Sequence, residues 1–147
     1  MKKLFVLFVL LSISISFLSA QDFKWHTWEE GYEKAKTENK PIYVFVHADW
    51  CHMCKRMLDK TFSKEEVQAL IQKDYIAVML DTDSKEKYKL DNHEYGGIEL
   101  MLKLTDNKFR ALPSSVFVDI KGPSGVLEEG LYSVDEMKTL LAKHKKT

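Results

Sequence analysis

The run from Ile42 to Val46 constrains this chain most. It is a continuous series of β-branched and aromatic residues, too short for a helix and without polar alternation. It predicts a strand buried on both faces, central and parallel in its sheet. Tyr75 to Leu80 repeats the pattern. A strand covered on both sides needs a layer on each, and the segments between such runs must supply it.

Those segments read as helices. Thr27-Trp28-Glu29-Glu30 fits a capping box, with Trp28, Tyr32 and Ala35 on one face. Pro41 disfavours helical geometry at Lys40, so the helix should stop near Asn39. Asp49 to Asp59 predicts a turn into a helix, and Ser63-Lys64-Glu65-Glu66 a second capping box opening a helix through Val67, Leu70 and Ile71. Asp81 to Asn92 lacks an apolar stripe and predicts a loop or an exposed helix. Gly96-Gly97 reads as a break, followed by a helix through Ile98, Met101, Leu102 and Leu104 that ends near Asn107. Pro113 precedes a strand over 115–120, residues 121–125 carry turn chemistry, and Val126 to Tyr132 is the returning strand. Ser133 to Glu136 is a third capping box, and Lys143 to Lys146 suit the C-terminal end of the last helix. The order α-β-α-α-β-α-β-β-α predicts one α/β domain with a parallel part and an antiparallel edge.

Composition narrows the function. The 147 residues are 45% hydrophobic with zero formal net charge, which argues against a disordered chain and against a basic nucleic-acid binder. Two cysteines are too few for a disulfide-stapled miniprotein. Met1-Lys2-Lys3, the uncharged apolar stretch from Leu4 and the small residues Ser19-Ala20 follow the order of a secretory signal peptide. Residues 1–20 are therefore expected to be a signal cleaved after Ala20, leaving a domain over 21–147 in a periplasmic or secreted protein. An uncleaved membrane anchor is the competing reading.

Both cysteines lie in Trp50-Cys51-His52-Met53-Cys54-Lys55, after a buried strand and at a helix start. One helical turn puts their Cα atoms about 5–6 Å apart, within disulfide reach. Unpaired N–H groups and the positive end of the helix dipole favour a Cys51 thiolate, the attacking species. Cys54, one turn in, is expected to be more shielded and to serve as the resolving thiol. Other readings of the pair are an inert disulfide, which would restrain almost no chain, and Cu(I) held by two thiolates. A structural zinc site would need further ligands.

The chain resembles the thioredoxin superfamily. Trp50-Cys51-x-x-Cys54-Lys55 matches the WCxxCK active site, Leu112-Pro113-Ser114 sits where the family has its cis-proline loop, and Gly130 matches the glycine before the last helix. The stretch from Lys40-Pro41 to Phe62-Ser63 is similar to the C-terminal thioredoxin-like domain of the reductase DsbD and to small exported thioredoxin-like proteins. The resemblance implies a central mixed β-sheet flanked by helices, with an N-terminal helical extension. It implies a thiol–disulfide oxidoreductase, reductase rather than oxidase, without cofactor or metal. Cys51 would be its nucleophile and Cys54 its resolving thiol, with Pro113 cis beside them orienting the substrate. Partners would be exported proteins carrying disulfides or thiols and a membrane electron donor, and the expected state is a monomer. A copper-binding metallochaperone on the same fold is the alternative.

One position departs from the family. Phe45 stands where thioredoxins carry a buried Asp that helps deprotonate the resolving thiol, leaving Asp49, His47 and Lys55 as candidates for the base. A protonated His52 would stabilise the Cys51 thiolate and make the pair more oxidising. Trp50, His52, Met53, Lys55, Leu112 and Pro113 are read as residues for redox tuning and substrate contact, Trp50 as both packing and active-site rim, and Met53 as a contact for partner proteins or a copper ligand. Trp25, Trp28 and Tyr32 are read as packing residues, and Asp81, Asp83, Asp91 and Glu94 as a solvated face.

Overall fold

The computed structural model describes residues 22–122 and 124–145. The expected signal segment, residues 1–20, lies outside them. Among the described residues no helix is long and apolar enough to cross a membrane.

Four strands form the central sheet in the order β2-β1-β5-β6. They are β1 (Ile42–His47), β2 (Ile76–Asp81), β5 (Ser114–Val118) and β6 (Gly125–Glu129). β1 pairs parallel with β2, Ile42 opposite Ile76, and antiparallel with β5, Ile42 opposite Val118. β5 and β6 are antiparallel. The expected parallel part and antiparallel edge are both present.

Alternation along β1 feeds two cores. Ile42, Val44 and Val46 pack with Trp28 and Ala35 of α1 (Trp28–Glu38) and with Leu100, Met101 and Leu104 of α4 (Gly97–Leu104). Tyr43 and Phe45 pack on the other face. Their neighbours there come from α2 (His52–Met57), α3 (Glu65–Asp74) and α5 (Val134–His144). Residues Ile42 to Val46 are all fully buried, as their lack of alternation required.

The first and third capping boxes form. Thr27 Oγ1 accepts from Glu30 N at 3.3 Å, and Glu30 Oε2 accepts from Thr27 N at 3.4 Å. Ser133 N donates to Glu136 Oε2 at 2.8 Å while Ser133 Oγ accepts from Glu136 N. The second box does not form. Lys64 is the N-cap of α3 and makes no side-chain cap bond. The chain continues from α2 into a π-helical turn over Leu58–Phe62, and Ser63 Oγ closes that turn by donating to Asp59 O at 2.6 Å.

Asp81 to Asn92 is neither loop throughout nor helix. It holds β3 (Tyr88–Leu90), which pairs with β4 (His93–Tyr95) across a turn at Asp91 and Asn92, both with positive φ. Tyr88 and Leu90 are buried while Lys89 points out. Lys89 O accepts the Trp28 indole N–H at 2.9 Å, and Lys89 N donates to Glu29 at 3.1 Å, tying the hairpin to α1. Two strands end earlier than expected, β5 at Val118 and β6 at Glu129, where Gly130 takes φ +136°. α4 likewise ends at Leu104 rather than near Asn107.

Candidate active site

The sheet register converges three segments on one edge. Val46 and His47, the last residues of β1, stand opposite Leu80 and Asp81 of β2. On the other side Val46 stands opposite Ser114, the first residue of β5. The turn leaving β1, the loop leaving β2 and the loop entering β5 therefore meet beside the start of α2.

The turn is closed by Cys51 N donating to Ala48 O at 3.0 Å, with Ala48 buried. Cys51 is then the N-cap of α2. Its Sγ accepts from Cys54 N at 3.1 Å, and its carbonyl accepts from Lys55 N at 3.2 Å. A sulfur at this position takes the place of the oxygen that usually satisfies the first free helical N–H. The same N–H stabilises a thiolate when the pair is reduced.

Cys51 and Cys54 are joined as a disulfide, Cα atoms 5.2 Å apart. Both are buried, at 4% and 1% exposure, so Cys54 is slightly the more shielded. Trp50 at 65% and Met53 at 48% are among the most exposed large apolar side chains described. His52 and Lys55 lie exposed on the first turn of α2.

The Leu112–Pro113 peptide is cis. Pro113 is buried, and Leu112 is half-buried between the two cores. The Pro113 carbonyl accepts from Gly130 N at 3.0 Å. Gly130 holds φ +136°, which a side chain would strain.

Two acids near the site were not foreseen as part of it. Asp83 accepts the Trp50 indole N–H through Oδ2, and Asp83 N is itself held by Asp81 Oδ1 at 2.9 Å. The other is Glu129, at the end of β6, which bonds the loop before Pro113. Asp83 read as one of a solvated acidic face, and nothing in its own neighbourhood marks it. The signal was indirect, since residues just past β2 must neighbour residues just past β1.

The three candidate bases fare differently. Asp49 and Lys55 are exposed. His47 is half-buried, two residues along β1 from Phe45 and stacked on its ring at 5.9 Å. Phe45 belongs to the same core as both cysteines, so His47, two residues along the strand, shares the sheet face that faces that core. Burial lowers the His47 pKa from its ordinary 6.5, and Asp81 and Asp49 oppose the shift.

This arrangement, a Cys-x-x-Cys disulfide capping a helix beside a cis-proline loop on a four-stranded mixed sheet, defines the thioredoxin fold class. The thioredoxin-like family model matches residues 24–119, and the chain belongs to that family. Mouse spermatogenesis-associated protein 20 is 39% identical over 62 residues, 42% of this chain. The disulfide bond reductase DsbH of Chlamydia pneumoniae is 26% identical over 110 residues, 71% of this chain. The chain spans 8% of the length of the first relative and 61% of the second. A thioredoxin from Thermus thermophilus superposes with TM-score 0.65 at 18% identity, over 82% of this chain and 85% of that one. The oxidised C-terminal domain of Neisseria meningitidis DsbD superposes with TM-score 0.57 at 17% identity, over 80% and 92% respectively. The fold is thus the one that the motif residues implied.

Proposed function

We propose that this protein is an exported thiol–disulfide oxidoreductase that reduces disulfides in other exported proteins. The observation that carries the reading is the Cys51–Cys54 disulfide at the start of α2, with Cys51 Sγ accepting a helical N–H. That bond stabilises the sulfur that must leave and attack as a thiolate. The exposed Trp50 and Met53 beside it offer a partner apolar area. The reductive direction draws on the relative named a disulfide bond reductase.

In the reduced protein the Cys51 thiolate attacks one sulfur of a substrate disulfide. A mixed disulfide forms and the other substrate sulfur leaves as a thiolate, to be protonated. Cys54 then loses its proton and attacks Cys51 Sγ, which closes the 51–54 disulfide and releases the second substrate thiol. Two electrons have passed to the substrate. A dithiol donor, a membrane protein in this reading, returns them by the reverse exchange. Because Phe45 supplies no carboxylate, His47 is the group assigned to accept the Cys54 proton. Burial lowers its pKa, so at neutral pH it is unprotonated and able to accept.

Trapping tests the reading. Cys54→Ser should accumulate mixed disulfides through Cys51 with exported proteins, and Cys51→Ser should accumulate none. Equal adduct levels in both variants would overturn it. Export is tested separately: Gln21 should be the N-terminus of the protein recovered from the periplasm or medium, and retention of Met1 in the membrane fraction would refute cleavage.

A further inference from the structure

The loop leading to Pro113 is held by one carboxylate. Glu129 Oε1 accepts from Arg110 N at 2.6 Å and from Ala111 N at 2.9 Å. Ser114 Oγ donates to the Ala111 carbonyl at 2.6 Å, and Gly130 N donates to the Pro113 carbonyl at 3.0 Å. The backbone is thus fixed on both sides of Leu112, while among the described residues no group bonds to the Leu112 N–H or carbonyl. The clamp comes from β6, across the β5–β6 pairing that sets Ser114 opposite Glu129. The disulfide is on another segment, and Glu129 makes no hydrogen bond to either cysteine.

We infer that Glu129 is a positioning residue that holds the Arg110–Pro113 loop as a ready edge for an extended segment of a protein substrate. The inference rests on the oxidoreductase reading, in which the Pro113 loop orients the substrate, and adds to it the residue that holds that loop in place. Two converging N–H groups form a small anion-binding concavity, and a carboxylate fills it with charge-assisted bonds. Without an acceptor both N–H groups turn to water, the loop samples other conformations, and a substrate must order it on binding. The cost then appears in substrate affinity and not in sulfur chemistry. A glutamine in its place keeps an oxygen that can accept both bonds.

The test is steady-state reduction of insulin by the full protein with dithiothreitol as electron source. Glu129→Ala should raise KM for insulin at least about five-fold with kcat within about two-fold. The reduction potential of the pair, and its rate with dithiothreitol alone, should stay at wild-type values. Glu129→Gln should restore KM to within about two-fold of wild type. If the alanine variant does not fold, Glu129→Thr repeats the test, since threonine suits a strand and is too short to reach the loop. An unchanged KM in the truncated variant overturns the inference. So does a loss that moves kcat and potential together, or a glutamine variant as defective as alanine. A wild-type protein that reduces no insulin defeats the functional reading itself, whereas an active wild type with an indifferent Glu129 defeats the clamp alone.

Discussion

Gly97→Ala should destabilise the protein and disturb its site, whereas Gly96→Ala should cost less and leave the site intact. A Cβ at Gly97 would lie 2.6 Å from Asp81 O, 2.8 Å from Thr82 Cα and 3.0 Å from Thr82 O. All three are backbone atoms, and Thr82 N is tied to His47 O at 2.9 Å, so the obstacle is part of the sheet edge. Forcing one methyl into such a contact costs about 1–3 kcal/mol. Alanine recovers up to about 1 kcal/mol of helix propensity, less at a first helical position. The net loss should be about 1–2 kcal/mol by these two terms. A Cβ at Gly96 meets nothing closer than the Glu99 carboxylate at 3.4 Å, the end of a flexible side chain, and Gly96 has φ −71°. Gly96 is the N-cap of α4, where alanine serves less well than glycine, so its replacement should cost up to about 1 kcal/mol without displacing the sheet edge. Urea unfolding of the oxidised protein reads both values, and m should not change. Because Asp83 adjoins the displaced backbone and holds the Trp50 indole, Gly97→Ala should also alter the Trp50 emission, with Trp50→Phe as the control spectrum. A Gly97→Ala variant as stable as wild type would refute the close packing of α4 on the β2 edge.

Thr27→Ala and Ser133→Ala each remove a working N-cap and should cost about 1 kcal/mol, while Ser63→Ala, which removes one exposed hydrogen bond to Asp59 O and no N-cap, should cost less by the same urea assay. His47 has a lowered pKa in the folded protein, so the unfolded chain binds its proton more readily. Its contribution to stability is present above the ordinary pKa of 6.5 and is lost as pH falls from there through the lowered value of the folded protein. Melting temperatures from pH 8 to 5 should show a decline that His47→Gln reduces, and parallel curves would contradict the burial of His47. His52→Ala should make the Cys51–Cys54 pair less oxidising, by up to about 30 mV or tenfold in the exchange constant; an unchanged potential would remove His52 from the tuning of the pair.

The parts legible in the sequence were those set by local pattern. The runs 42–46 and 75–80 announce buried strands because no polar residue interrupts them, and Thr27 and Ser133 announce helix starts because their caps close within three residues. Ser63 had the same pattern but failed, because α2 runs on through a π-helical turn that takes the hydroxyl for its own carbonyl. The β3–β4 hairpin was missed because three-residue strands carry one alternation, although Tyr88-Lys89-Leu90 before Asp91-Asn92 held that signal. At the site, Cys51, Cys54 and Pro113 were legible through their motifs. Asp83 and Glu129 were not, because each acts on a residue brought near by strand register: Trp50 is 33 positions from Asp83 and Arg110 is 19 from Glu129. With Phe45 at the position where the resemblance expects an acid, the strand geometry favours His47 over the exposed Asp49 and Lys55.

The central claim is that Cys51 and Cys54 cycle between disulfide and dithiol as a reductant of protein substrates. The reduction potential of the pair, measured by equilibration with a dithiol buffer, tests it most directly. The account predicts full reversible exchange with a potential near that of thioredoxin, about −270 mV, and loss of exchange in Cys51→Ser. A potential near about −120 mV would mark an oxidant, and a pair that does not cycle but retains Cu(I) on both thiolates would contradict the account.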